Sequence, residues 1–105
     1  MKKIYILIIL LFTIFASSIA QEKYSSVEEV KKLNYELFEE IGFDENKIDH
    51  VCRAIYSLQI RTSYLIQSGV SPNKEKLDQQ FKSFMLRVLS EEDFKKFESI
   101  RNKLK

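Results

Sequence analysis

One cysteine, one proline, two glycines and no tryptophan occur among 105 residues. A lone cysteine, Cys52, cannot close an internal disulfide, so the staple that many small exported domains depend on is missing. So little glycine and proline leaves no material for a turn-rich β fold. Catalytic motifs are missing as well: there is no G-x-S-x-G, no Walker loop and no G-x-G-x-x-G. His50 is the single histidine. Two residues from Cys52 on a helix, it diverges from the thiol by about 200 degrees, so the two cannot chelate one ion. The acidic pairs Glu28/Glu29, Glu39/Glu40 and Glu91/Glu92 are adjacent, which turns their carboxylates in different directions on a helix. These absences lead us to expect a non-enzymatic chain with no cofactor, no metal and no nucleic-acid partner.

What is present begins with a leader. Lys2 and Lys3 form a positive start, Ile4 to Phe15 an apolar run broken only by Thr13, and Ser18-Ile19-Ala20 a small-residue cleavage site. This pattern predicts a secretory signal peptide over 1–20, a mature chain from Gln21 and a periplasmic or secreted location. The rival, an uncleaved anchor, needs roughly 20 apolar residues, more than the run supplies. With no cysteine at the cleavage point, lipid attachment there is not expected, and no membrane anchor remains after cleavage. The precursor has 17 basic and 15 acidic residues. Two of the lysines belong to the leader, so the mature 85 residues hold 15 of each sign. A neutral chain of interspersed charges has no basic signature for nucleic acid.

Eighty-five residues make one domain, 21–105. Its hydrophobic spacing predicts an all-α fold, an antiparallel hairpin or bundle of three to four helices. Gln21 to Ser25 read as a mobile lead-in. Ser26-Val27-Glu28-Glu29 reads as a reciprocal capping box, with a stripe at Val27, Val30, Leu33, Leu37, Phe38 and Ile41, and Gly42 as the stop. Asp44 caps a second helix running to about Ser68, ended by Gly69. Its inner face carries Ile48, Val51, Cys52, Ile55, Leu58, Thr62, Leu65 and Ile66. Ser71-Pro72 opens a third segment whose stripe is Leu77, Phe81, Phe84 and Val88, with Met85 on the flank and Leu86 pointing away. Ser90 caps a fourth, with Phe94, Phe97, Ile100 and Leu104; the last two segments could equally form one helix bent near Ser90.

Cys52 shares its face with Ile48, Ile55 and Leu58, which predicts a buried, quiet thiol; an intermolecular disulfide is the alternative. His50 is expected to face solvent. The most informative pattern is a second stripe on the long helix, Tyr56, Ile60 and Tyr64, with Arg53 beside it. Either it is core, because a central helix touches neighbours on two sides, or it is an exposed protein-contact surface.

Two helix starts carry a family likeness. Leu89-Ser90-Glu91-Glu92-Asp93-Phe94-Lys95-Lys96-Phe97 resembles the L-T-x-x-Q segment of the Spy/CpxP-like family of small exported helical proteins. Ser90 stands for the threonine cap, and Asp93 replaces the glutamine. Ile41-Gly42-Phe43-Asp44-Glu45-Asn46-Lys47 resembles a second such start, with Asp44 and Lys47 at those positions. The resemblance covers roughly residues 41 to 100. It implies a periplasmic helical hairpin that dimerises into a cradle and holds unfolded or partner protein, as a chaperone or envelope-stress accessory. The alternative function is a structural or inhibitory module that binds one specific folded partner.

Overall fold

The computed structural model describes residues 23–105, and the expected leader lies outside them. Four helices follow one another: α1 (Val27–Glu40), α2 (Glu45–Gln67), α3 (Lys74–Met85) and α4 (Glu91–Ile100), the last extended by a 3-10 turn over Arg101–Lys103. No strand occurs among the described residues. The fold is all-α.

Local chemistry sets the helix limits. The Ser26 hydroxyl accepts from the Glu29 amide, Asp44 from Lys47, and Ser90 from Asp93. Each side-chain oxygen satisfies an amide that has no partner within its helix. The reciprocal box expected at Ser26 is incomplete, because the Glu29 carboxylate turns to the Ser25 hydroxyl, 2.7 Å away. The complete box is at Ser90, where Asp93 also accepts from the Ser90 amide. Gly42 and Gly69 take φ values of 82° and 77° just past α1 and α2, a conformation that other residues enter only with strain. The third start differs from expectation. Asn73, not Ser71, caps α3 by accepting from Lys76 at 3.2 Å, and Pro72 lies outside the helix.

Cross-contacts fix the topology. Tyr24 meets Gln59 while Lys31 meets Glu45 and Asp49, so α1 runs antiparallel to α2. His50 meets Phe84 and Arg61 meets Gln80, so α3 also runs antiparallel to α2. Lys47 bonds Asp93 near the start of α4, and the Lys105 amide bonds Asn34 near its end. The helices therefore alternate up, down, up and down. The last two segments are separate helices, joined by a turn through Leu86–Leu89 that closes with hydrogen bonds back to α3.

That turn changes which residues enter the core. Unwinding after Met85 rotates the chain, leaving Val88 exposed and burying Leu89 and Met85 instead. Leu86, expected to point away, packs partly against the core. On α1 the buried line runs through Val30, Asn34 and Phe38, while Leu33 is exposed. The i, i+4 line tracks the flank of α2, and Leu33 falls about 60 degrees off it. Phe38, Ile48, Val51, Cys52, Met85 and Phe97 complete the interior, and Phe43 closes it beneath the α1–α2 turn.

The lead-in is not mobile from Tyr24 onward. The Tyr24 ring is buried. Its amide donates to Gln59 Oε1 at 2.9 Å, and its carbonyl accepts from Gln59 Nε2 at 2.7 Å. Its hydroxyl donates to the Lys105 carbonyl. Beside it Asn34, with no exposed surface, accepts from the Lys105 amide at 2.7 Å and donates to the Val30 carbonyl at 3.0 Å. A buried amide is tolerated because both ends are satisfied. This polar knot ties the two ends of the described chain to the middle of α1 and α2.

Candidate functional site

The predicted stripe divides along its length. Tyr56 is half-buried, and its hydroxyl donates to the Ser25 carbonyl at 3.4 Å, so it belongs to the α1–α2 seam. Arg53 is exposed and borders a small cleft with Val27, Glu28, Lys31 and Asp49. Ile60 is 39% and Tyr64 68% exposed. The four residues therefore do not form one surface: the lower half belongs to a packed seam and the upper half stands free.

A concavity of about 550 Å³ lies elsewhere, between α2 and α3. Its floor is apolar: Ala54 and Leu58 from α2, and Leu77, Phe81 and Phe84 from α3. Its rim carries Arg61, Lys76 and Arg87 with the amides of Gln79 and Gln80, and no carboxylate lines it. Arg61 donates to Gln80 across the groove. The Arg87 guanidinium lies 5.5 Å from the centre of the Phe84 ring. None of the three rim cations has an ion-pair partner among the described residues. A desolvated apolar floor under unpaired cations suits a chain that offers apolar side chains together with carboxylates.

His50 forms the lower end of this region and is not solvent-facing. Its ring stacks on Phe84 with centroids 4.5 Å apart and planes 8° from parallel. Its Nε2–H donates to the Phe84 carbonyl at 2.6 Å. The carbonyl can only accept, which fixes the proton on Nε2 and leaves that nitrogen unable to bind a metal or act as a base. Sequence spacing did not indicate this, because the contact joins residues 34 positions apart.

Cys52 is fully buried. Burial, reinforced by the nearby Asp49 carboxylate, pushes its thiol up to about 12. A thiol held protonated is a poor nucleophile. No group of three or more His, Cys, Asp or Glu side chains that could hold a metal ion occurs among the described residues.

Charged contacts gather at the other side of α2. Lys31 sits 2.8 Å from Glu45 and 2.9 Å from Asp49. Hydrogen bonds from Lys31, then from the Tyr35 hydroxyl, hold the Glu45 carboxyl below its ordinary range, and Lys31 is raised by its hydrogen bonds to Glu45 and then to Asp49. Lys47 lies 3.0 Å from Asp93 and lowers it in the same way. These contacts join α1 to α2 and α2 to α4.

Among the described residues the architecture is a small four-helix up-and-down bundle with a cation-rimmed apolar groove. No protein-family model, no curated protein and no solved structure matches the chain.

Proposed function

We propose that this is an exported, cofactor-free helical protein that works by protein–protein contact, as a Spy/CpxP-like holding chaperone or envelope-stress accessory. The groove between α2 and α3 is its docking surface. The observation that carries the reading is the groove's composition, an apolar floor beneath Arg61, Lys76 and Arg87 with no carboxylate among the lining residues. Such a site takes short apolar segments flanked by acidic residues, whether from an unfolded client or from an amphipathic helix. Its cations steer the approach and its floor retains the segment, so binding weakens with salt without vanishing.

Suppression of aggregation tests this directly. The chain from Gln21 is mixed with several unrelated unfolding proteins, with light scattering as the readout. Delayed aggregation of most of them, lost in an Arg61→Glu/Arg87→Glu variant of unchanged helicity, is the expected result. No effect on any client, with tight binding to one folded acidic protein, would replace holding with a dedicated partner. Equal protection by the double variant would remove the groove from the function.

A further inference from the structure

Acidic side chains gather on α1 much as cations gather on the groove. Glu28, Glu36, Glu39 and Glu40 are exposed there, and none has an ion-pair partner among the described residues. Glu29, turned to the Ser25 hydroxyl, adds a further carboxylate. Lys31 is held by Glu45 and Asp49, which leaves Lys32 as the one exposed cation of this helix. Among these acids stands Leu33, 43% exposed. At about 100 degrees per residue, Glu29, Leu33, Glu36 and Glu40 fall within about 60 degrees of one another, so the leucine and three carboxylates share one stripe. The groove between α2 and α3 has the opposite chemistry. Small side chains, Ala54, Ser57 and Ser83, make the depression and leave room for a helix to approach Leu58 and Phe81. Arg61, bonded to Gln80, stands with Lys76 toward one end, and Arg87 follows Lys76 by eleven positions at the other. Eleven positions of helix span about 16 Å, and Glu40 follows Glu29 by the same eleven.

We propose that α1 of a second copy fills the α2–α3 groove, with Leu33 on the apolar floor and the carboxylates beside it against Arg61, Lys76 and Arg87. The two surfaces cannot meet within one molecule. Lys31 and Tyr35 are the α1 residues that bond Glu45 of α2, and Leu33, two positions from each, points about 160 degrees away from both. The stripe therefore faces away from α2, whereas the groove lies on the α2 flank that meets α3. Charge argues against the symmetric contacts, since groove on groove apposes cations and α1 on α1 apposes acids. A reciprocal pair, each copy filling the groove of the other, is opposed by the placement of the two surfaces on different sides of the bundle. The contact is heterologous, each copy offering one groove and one α1, and association runs head to tail past the dimer. The occupied groove is also the proposed docking surface, so association shields it, and a segment carrying acids and apolar groups competes with Leu33 for the floor. That consequence rests on the docking reading; the contact between copies does not.

The test is sedimentation of the full chain, expressed in a bacterial host and purified as that host processes it. Between about 10 μM and 1 mM the weight-average mass should rise past that of a dimer in about 0.1 M salt, and fall back in about 0.5 M. Arg61→Glu/Arg87→Glu breaks the groove, and Leu33→Gln/Glu36→Gln/Glu40→Gln breaks the stripe. Each should weaken association about tenfold or more at unchanged helicity. A mixture of the two variants decides the geometry. One keeps an intact α1 and the other an intact groove, so together they should form a 1:1 complex that grows no further. A chain monomeric at every concentration, a dimer that both variants retain, or a mixture without a complex would overturn the proposal. Light scattering with unfolding clients separates it from the docking reading, because the stripe variant keeps an open groove and should protect clients at least as well as the parent. A monomeric parent that still protects clients removes this contact and leaves that reading standing. Association in the expected pattern, without protection of any client, does the reverse.

Discussion

Toward the end of the bundle formed by the α1–α2 and α3–α4 turns, three lysines have acidic partners. Lys31 lies between Glu45 and Asp49, Lys47 meets Asp93, and Lys82 stands 3.9 Å from Glu91. Apolar residues of both turns, Phe43 and Leu89, are buried there. At the opposite end, where α2 runs on past the Tyr24–Gln59 contact, Ile60, Tyr64 and Val70 are exposed, and Lys74 has no ion-pair partner among the described residues. Helix length is the source of the contrast, for α2 has 23 residues while its neighbours have 14, 12 and 10. Where the ends coincide, Phe43 and Leu89 find cover, while Val88 and Arg87 of the same α3–α4 turn stay exposed. Where α2 outruns the others, the same residue types are left facing outward. The first end therefore contributes more to holding the fold than the second.

Substitutions can break that comparison, the most damaging first. Phe97→Ala removes a ring with no exposed surface that packs on Phe81 and Phe94. It should cost about 3–5 kcal/mol in denaturant unfolding. Asn34→Ala leaves the Lys105 amide without its acceptor. A loss of about 1–3 kcal/mol is expected, with faster hydrogen exchange at Lys105 than at Tyr24, whose amide Gln59 still holds. Ser90→Ala opens the capping box of α4 and should cost about 1 kcal/mol; no change would show that tertiary contacts alone hold that start.

Acid provides a milder probe of the paired end. Asp93 and Glu45 are both held below their ordinary values by lysine contacts. The folded state therefore takes up these protons less readily than the unfolded chain. The stabilisation is fully present above about pH 5 and is lost as pH falls through the carboxylate range. Urea midpoints between pH 7 and pH 3 should fall, and more shallowly in Lys47→Met, which removes the partner of Asp93. A slope unchanged in that variant would place the sensitivity elsewhere. Tyr64→Ala should have the smallest effect on folding, within about 0.5 kcal/mol. A large loss would show that α2 is supported along its whole length and would erase the difference between the ends.

Much of the helical framework was legible in the residues. Ser26, Asp44 and Ser90 cap the helices they were expected to cap, and Gly42 and Gly69 stop the first two. A cap is a contact over three residues, and a left-handed glycine is a property of one, so neither depends on distant chain. The α3 start was misplaced because Ser71 and Asn73 are both competent caps, and local chemistry does not rank them. The candidate site was far less legible. Arg61, Lys76 and Arg87 are scattered through a neutral sequence, and they form one rim only because α2 and α3 lie antiparallel. Tyr24 sits in a short polar segment without periodicity, and its burial depends on Gln59 and Lys105, 35 and 81 positions away.

The sequence by itself determined that the described chain is helical, where three of its four helices begin, and that Cys52 would be buried. These follow from periodicity and from hydrogen bonds that close within one turn. Tertiary structure alone decided that Asn34 is interior and Leu33 exterior, that His50 stacks on Phe84, and that Tyr56 and Tyr64, on one predicted stripe, have different surroundings. Two turns of helix separate those tyrosines, and the first has α1 beside it while the second extends beyond the start of α1. Periodicity gives the direction in which a side chain points. Whether another helix stands there depends on relative helix lengths and on where each helix docks, and residues far apart in the chain set both.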